Sequence, residues 1–154
     1  MTNLAIFAAG CFWGIEEKFL TTKGVTETEV GYIGGITKNP TYHDVCKGDT
    51  EHAEAVRVSF DEKQISYKEL VIFFFQIHNP TTLNRQGVDI GTQYRSEIFC
   101  LNEEQYITAD MIKRDLNNKS FDGKIVTSIS MAGAFWIAEE YHQKYIRKKK
   151  NMFF

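Results

Sequence analysis

The sequence predicts one domain in which helices and strands are mixed. Segments of strand period and helical period alternate along the chain, and no repeat, low-complexity tract or Pro/Gly/Ser-rich linker separates them. A length of 154 residues also suffices to bury a core without disulfides or metals.

The apolar run at residues 4–9 reads as the first strand. Gly10-Cys11-Phe12-Trp13-Gly14 follows and leads into a helical pattern, Ile15-Glu16-Glu17-Lys18-Phe19-Leu20, which sets Cys11 at a strand-to-helix junction. Residues 25–32 read as a strand that runs into Gly31-Tyr32-Ile33-Gly34-Gly35, a loop with several positions open to unusual backbone angles. Asn39-Pro40 predicts an N-cap and first helical residue for a short helix through Cys46 that Gly48 ends. Ala53–Phe60 is the next strand. Ser66-Tyr67-Lys68-Glu69 has the spacing of a capping box and opens a strongly apolar helix, which must stop near His78 because Asn79 precedes Pro80. A polar loop over residues 80–92 is longer than a connection needs, and loops of that length are usually functional or disordered. A strand over 94–101, a helix opened by Asn102 with Gln105 three residues on, a strand over 125–130 and a last helix over about 135–149 complete the chain.

Composition narrows the function. With 18 Lys+Arg against 20 Asp+Glu the chain has no general attraction to nucleic acid or to an anionic membrane. Cys11, Cys46 and Cys100 are odd in number and widely spaced, which argues against a secreted disulfide framework and for a reducing compartment. The apolar start is too short for a signal, with no basic residue before Lys18, and the longest apolar run elsewhere, residues 70–75, cannot span a bilayer. A soluble, cytoplasmic monomer is expected.

Four residue types invite chemistry. At the start of a helix, backbone N–H groups and the helix dipole favour an anion, so Cys11 is expected to tend towards its nucleophilic thiolate, with Phe12 and Trp13 as an apolar wall. The alternative is a small core cysteine. On the strand Ala53–Phe60, Glu54 shares a face with Val56, Val58 and Phe60, which would raise its pKa and keep a proton on it; the alternative is an exposed strand end or a pair with Arg57 or Lys47. Strand spacing puts Cys100 about 20 Å from Tyr94 and assigns it to the core, whereas Cys46, four residues after Tyr42, can approach whatever Tyr42 approaches. His43-x-x-Cys46 lacks a second pair at zinc spacing, so no metal is expected. A hydrolase pairing Cys11 with His52 or His142 stays open, because such partners are distant in sequence. The basic run Arg147-Lys148-Lys149-Lys150 suits a helix C-terminus.

Taken together, Gly10-Cys11-Phe12-Trp13-Gly14, Gly31-Tyr32-Ile33-Gly34-Gly35, Asn39-Pro40-Thr41-Tyr42, His52-Ala53-Glu54, Arg85-Gln86-Gly87-Val88-Asp89, Gly91-Thr92-Gln93-Tyr94-Arg95-Ser96 and Ala138-Glu139-Glu140-Tyr141-His142-Gln143 resemble the A-type peptide-methionine sulfoxide reductases over nearly the whole chain. The resemblance implies an α+β fold, a two-layer α/β sandwich with a mixed sheet of ferredoxin-like plait. It implies Cys11 as the nucleophile, Phe12 and Trp13 as the receptors of the substrate's S-methyl group, Tyr42, Glu54 and Tyr94 as holders of the sulfoxide oxygen, and Asp89 as a support of the site and its recycling. The implied reaction is thiol-dependent reduction of methionine-S-sulfoxide, free or in proteins, through a Cys11 sulfenic acid and with no bound cofactor. Many members carry a resolving cysteine in a glycine-rich tail, and here Asn151-Met152-Phe153-Phe154 has none. Cys46, or an external thiol such as thioredoxin, glutaredoxin or glutathione, is then expected to resolve Cys11. A second departure is Glu51, where the family usually has glycine. A Cys-dependent hydrolase and a non-enzymatic redox sensor are the alternatives.

Overall fold

The computed structural model describes residues 3–151. Its elements are β1 (Asn3–Ala9), α1 (Phe12–Leu20), β2 (Val25–Ile33), α2 (Tyr42–Cys46), β3 (Ala53–Phe60), α3 (Tyr67–Gln76), β4 (Arg85–Gln86), β5 (Asp89–Ile90), β6 (Ser96–Cys100), α4 (Glu103–Lys119), β7 (Ser128–Met131), β8 (Trp136–Ile137) and α5 (Tyr145–Asn151). A six-stranded sheet of order β7-β6-β1-β3-β2-β8 forms the centre. β6 and β7 run parallel and the remaining pairs antiparallel, so the sheet is mixed, as the resemblance implies.

Strand alternation decides the two faces. Ala5, Phe7 and Ala9 of β1 and Val56, Val58 and Phe60 of β3 point to one face, where they meet Phe12, Ile15 and Phe19 of α1 and Leu70, Val71 and Phe74 of α3 in the main core. Phe7 stacks between Phe19 and Phe74, with ring centroids 5.1 and 5.3 Å away. Ile6, Ala8, Ala53 and Ala55 point the other way, into a smaller cluster with Ile33 and Phe99.

Three expected boundaries move. α2 is capped by Thr41 and not by Asn39: the Thr41 hydroxyl accepts from the Asp44 N–H at 3.1 Å and the Asp44 carboxylate accepts from the Thr41 N–H at 3.0 Å. That reciprocal box satisfies two free amides, and Asn39, at φ 47°, belongs to the preceding turn. Tyr94 lies not on a strand but in a turn of 3-10 helix, Thr92–Tyr94, that leads into β6. The helix expected over 135–149 is a strand, a 3-10 turn and a short helix. Trp136 and Ile137 pair with Tyr32 and Gly31, the Gln143 side chain bonds both the N–H and the C=O of Val30, and Lys144 turns the chain at φ 52° before α5 begins. Gly31 permits this edge, since a Cβ there would stand 2.5 Å from the Trp136 carbonyl oxygen.

Candidate active site

The sheet's register brings the expected residues to one end. Ala9 closes β1 and pairs with Ser96, the first residue of β6, so Cys11 and Tyr94 leave the sheet side by side. Tyr32, near the end of β2, pairs with Glu54, near the start of β3. α2 lies between β2 and β3 and adds Tyr42 and Cys46, and the loop before β6 adds Asp89. Antiparallel pairing thus collects residues up to 83 positions apart, a separation read from Cys11 and Tyr94.

Cys11 is the N-cap of α1 and is partly exposed. Gly10 before it has φ 101° and lets the Gln86 side chain close in, since a Cβ would meet Gln86 Cγ at 2.8 Å. Gln86 in turn bonds the backbone of Asn79, and β4 and β5 form a hairpin whose turn carries Gly87 at φ 58°. The long polar loop is therefore ordered, and it leans on the cysteine's junction.

The Cys11 thiol corrects one expectation. Burial pushes Cys11 up to about 11; the Trp13 amide, and more weakly that of Gly14, pull it down, while the charges of Glu54 and Asp89 push it up. Desolvation and two carboxylates outweigh the helix N-terminus, so the resting form at neutral pH is the thiol.

Glu54 is 1% exposed. Its Oε1 accepts the Phe12 N–H at 3.2 Å, and its Oε2 has no partner among the described residues. Burial lifts its pKa to about 7 against the Phe12 amide, with the Asp89 charge adding to the rise. Arg57 pairs with Glu29 at 2.7 Å on the opposite face of β3, so the alternative of a Glu54–Arg57 pair falls away. Tyr42 and Tyr94 are both pushed up by burial, Tyr94 to about 12, with Glu54 contributing to each, so both remain protonated donors. The charges of Cys46, Asp89 and Cys11 act on Tyr94 as well.

Cys46 is exposed at the end of α2 and faces the Tyr42 hydroxyl. Cys100 is buried on β6 in the main core, against the Tyr67 phenol. Of the two histidines that could have made a hydrolase pair, His52 has both ring nitrogens engaged and His142 has one. His52 Nδ1 accepts from the Gly35 N–H at 3.0 Å and its Nε2 lies 2.7 Å from the Thr37 carbonyl, and His142 Nδ1 accepts the Trp13 indole N–H at 2.8 Å. No group of three or more His, Cys, Asp or Glu side chains is placed to hold a metal among the described residues.

Sequence reasoning missed the wall behind Phe12 and Trp13. The Trp13 ring stacks on Tyr145 with centroids 3.8 Å apart and planes 12° apart, and His142 packs against Phe12, Trp13 and Tyr42. Glu139 accepts from the Tyr32 hydroxyl and from the Tyr42 N–H, each at 2.8 Å. Residues 138–143 carry a motif that signals importance; nothing local in it says which ring each side chain holds.

The profile of the family described as "Peptide methionine sulfoxide reductase" matches residues 3–153. The chain is 56% identical over 146 residues to the peptide methionine sulfoxide reductase MsrA of Methanosarcina acetivorans, covering 94% of this chain and 78% of that one. Among solved structures it resembles Mxr1 of Saccharomyces cerevisiae in reduced form, with a TM-score of 0.92, 39% identity and 97% and 86% of the two chains covered. It also resembles Mxr1 in complex with Trx2, with a TM-score of 0.67, 27% identity and 94% and 84% covered.

Proposed function

The chain belongs to the A-type peptide methionine sulfoxide reductases, oxidoreductases acting on sulfur, and from that membership we propose how its own residues carry the reaction. Cys11 Sγ attacks the sulfur of methionine-S-sulfoxide, free or in a protein. Phe12 and Trp13 take the methyl group, because an apolar wall cannot compensate the lost hydration of the sulfoxide oxygen. The oxygen is left to Glu54, Tyr42 and Tyr94, and this division selects the S epimer.

Glu54 carries the reading, through one observation: a carboxyl buried beside Cys11, with one oxygen unpartnered and a pKa of about 7. It is protonated in a large fraction of molecules at neutral pH and can give that proton to the sulfoxide oxygen, then take one from the thiol. The balance closes: the Sγ–S bond forms as the S–O bond breaks, and the oxygen leaves as water with one proton from Glu54 and one from the thiol. Water then attacks Sγ, breaking the Sγ–S bond, so that the thioether leaves with the bonding pair, Cys11 becomes a sulfenic acid and a proton returns to Glu54. Glu54 ends as it began. A group poised near the working pH is suited to this double duty, for which general acid–base catalysis typically contributes about 10²–10⁴-fold.

The sulfenic acid then condenses with a thiol, forming a disulfide and releasing water. Cys46 supplies that thiol, or an external thiol does, and a thioredoxin-like dithiol returns the disulfide to thiols; the complex of yeast Mxr1 with Trx2 supports such a donor. Three free cysteines support a reducing, cytoplasmic setting.

Purified protein with dithiothreitol should reduce the S epimer of a methyl sulfoxide and spare the R epimer, and Cys11→Ser should abolish turnover. Equal conversion of both epimers would sink the reading. Peptide mass spectrometry after one equivalent of sulfoxide separates the two recycling routes: a Cys11–Cys46 disulfide selects Cys46, and a persisting sulfenic acid or a glutathione adduct selects the external thiol.

A further inference from the structure

We infer that His142 is a positioning residue for this reaction: it receives the Trp13 indole N–H on Nδ1 and so fixes the plane of the ring that forms one wall of the methyl pocket. The inference rests on the proposed role of Trp13 and deepens it.

Trp13 is partly exposed and projects from the first turn of α1, where packing from its own helix does not settle the ring's orientation. Two groups from 129 or more residues away settle it. Tyr145 stacks on one face at 3.8 Å, which fixes the ring's height but leaves it free to slide and rotate in its plane. His142 removes that freedom, because a 2.8 Å bond from Nε1 allows one rotational setting.

The donor also dictates the imidazole's state. An indole N–H can only donate, so Nδ1 must present a lone pair, and His142 is the neutral tautomer with its proton on Nε2. His142 is 1% exposed, and its ring is packed by Phe12 at 5.2 Å, Trp13 at 5.6 Å, Tyr42 at 4.4 Å and Tyr141 at 4.2 Å. Phe12 and Tyr42 belong to the methyl-binding and oxygen-holding halves of the proposed site, so one imidazole touches both. Its Nε2 has no partner among the described residues, an unusual condition for a buried donor. A histidine kept only to fill the core would gain by losing that nitrogen. What the chain retains through it is the acceptor on the other side of the ring.

The test contrasts two substitutions. In His142→Asn, Oδ1 falls close to the position of Nδ1 and can accept the indole N–H; His142→Leu keeps apolar volume and removes the acceptor. For positioning, His142→Asn should hold kcat/KM for the S epimer within about twofold of the parent, and His142→Leu should lose about five- to tenfold, mostly in KM, the range of one neutral hydrogen bond. Thermal stability should rank the other way, because the asparagine buries a polar amide that leucine does not. A space-filling histidine predicts activity in the same order as stability, with leucine the better replacement, and that result overturns the inference. In a Trp13→Phe background, which lacks the N–H, His142→Leu should cost nothing further; a full additional loss also overturns it. If neither variant folds, 15N shifts of the parent enzyme decide: a proton on Nε2 and none on Nδ1 supports the assignment, and a protonated Nδ1 ends it. Loss of the sulfoxide reductase reading itself would be visible as an inactive parent, separately from every comparison between variants.

Discussion

Glu54 holds two opposed demands in one side chain: burial next to Val56 costs its anion, and the Phe12 amide favours it. The compromise near 7 has a measurable consequence for stability. Because the folded pKa lies above the ordinary glutamate value of 4.5, the folded state binds the extra proton between these values, and stability falls as pH rises through this window. Glu54→Gln removes that dependence, so its stability relative to the parent should climb by about 3 kcal/mol between pH 4.5 and pH 7.5, read from denaturant midpoints. The same variant should lose about 10²–10⁴-fold in kcat, since an amide donates a hydrogen bond but no proton. A second residue explains itself through its backbone. Glu51 is exposed at φ 62°, a left-handed setting that costs an L residue about 1–2 kcal/mol. Glycine relieves this and pays part of it back in chain entropy. Glu51→Gly should therefore raise Tm by about 2 °C with unchanged kcat/KM, as a thermal scan and an assay on one preparation will show.

β8 is two residues long, yet it delivers Glu139 and His142 to the site. Its seat depends on Gly31, where a methyl group would collide with the Trp136 carbonyl and the Phe135 ring. Gly31→Ala should cost about 1–3 kcal/mol and reduce kcat/KM along with it, because the edge that carries the pocket's back wall must shift; circular dichroism and the sulfoxide assay together check this. The contrast with α3 shows what was readable. α3 starts at Ser66 with its capping box and its apolar face packs inward, each feature determined within ten residues of sequence. Glu54 was readable for a similar reason, as alternation alone put it on the face of Val56 and Val58. The end of the chain was not, because its structure is made by single side chains reaching far: Gln143 to Val30 across 113 positions, Glu139 to Tyr42 across 97, Trp13 to His142 across 129. Local periodicity sees in residues 135–149 only a helical rhythm. The thiol's resting state was missed for a related reason: the helix N-terminus is local, whereas the burial that opposes it is made by the whole fold, and the carboxylates that add to it, Glu54 and Asp89, come from β3 and β5.

The main core under this arrangement is aromatic where β1 meets α1 and α3, so Phe7→Ala should destabilise the protein by about 3–5 kcal/mol, enough to lower Tm by roughly 10 °C or more. Because β1 also carries Cys11 at its end, activity and the near-UV signal should vanish at one temperature in that variant. The assembly of the pocket from distant segments has a consequence for biosynthesis. Chains emerge N-terminus first at about 5–20 residues per second, so Cys11 precedes the His142 and Tyr145 that orient Trp13 by roughly 7–27 s. For that interval the nascent polypeptide carries the proposed nucleophile without the groove proposed to present a sulfoxide to it. The complete pocket comes into being only when its last wall arrives, which couples capture of a sulfoxide to completion of the fold.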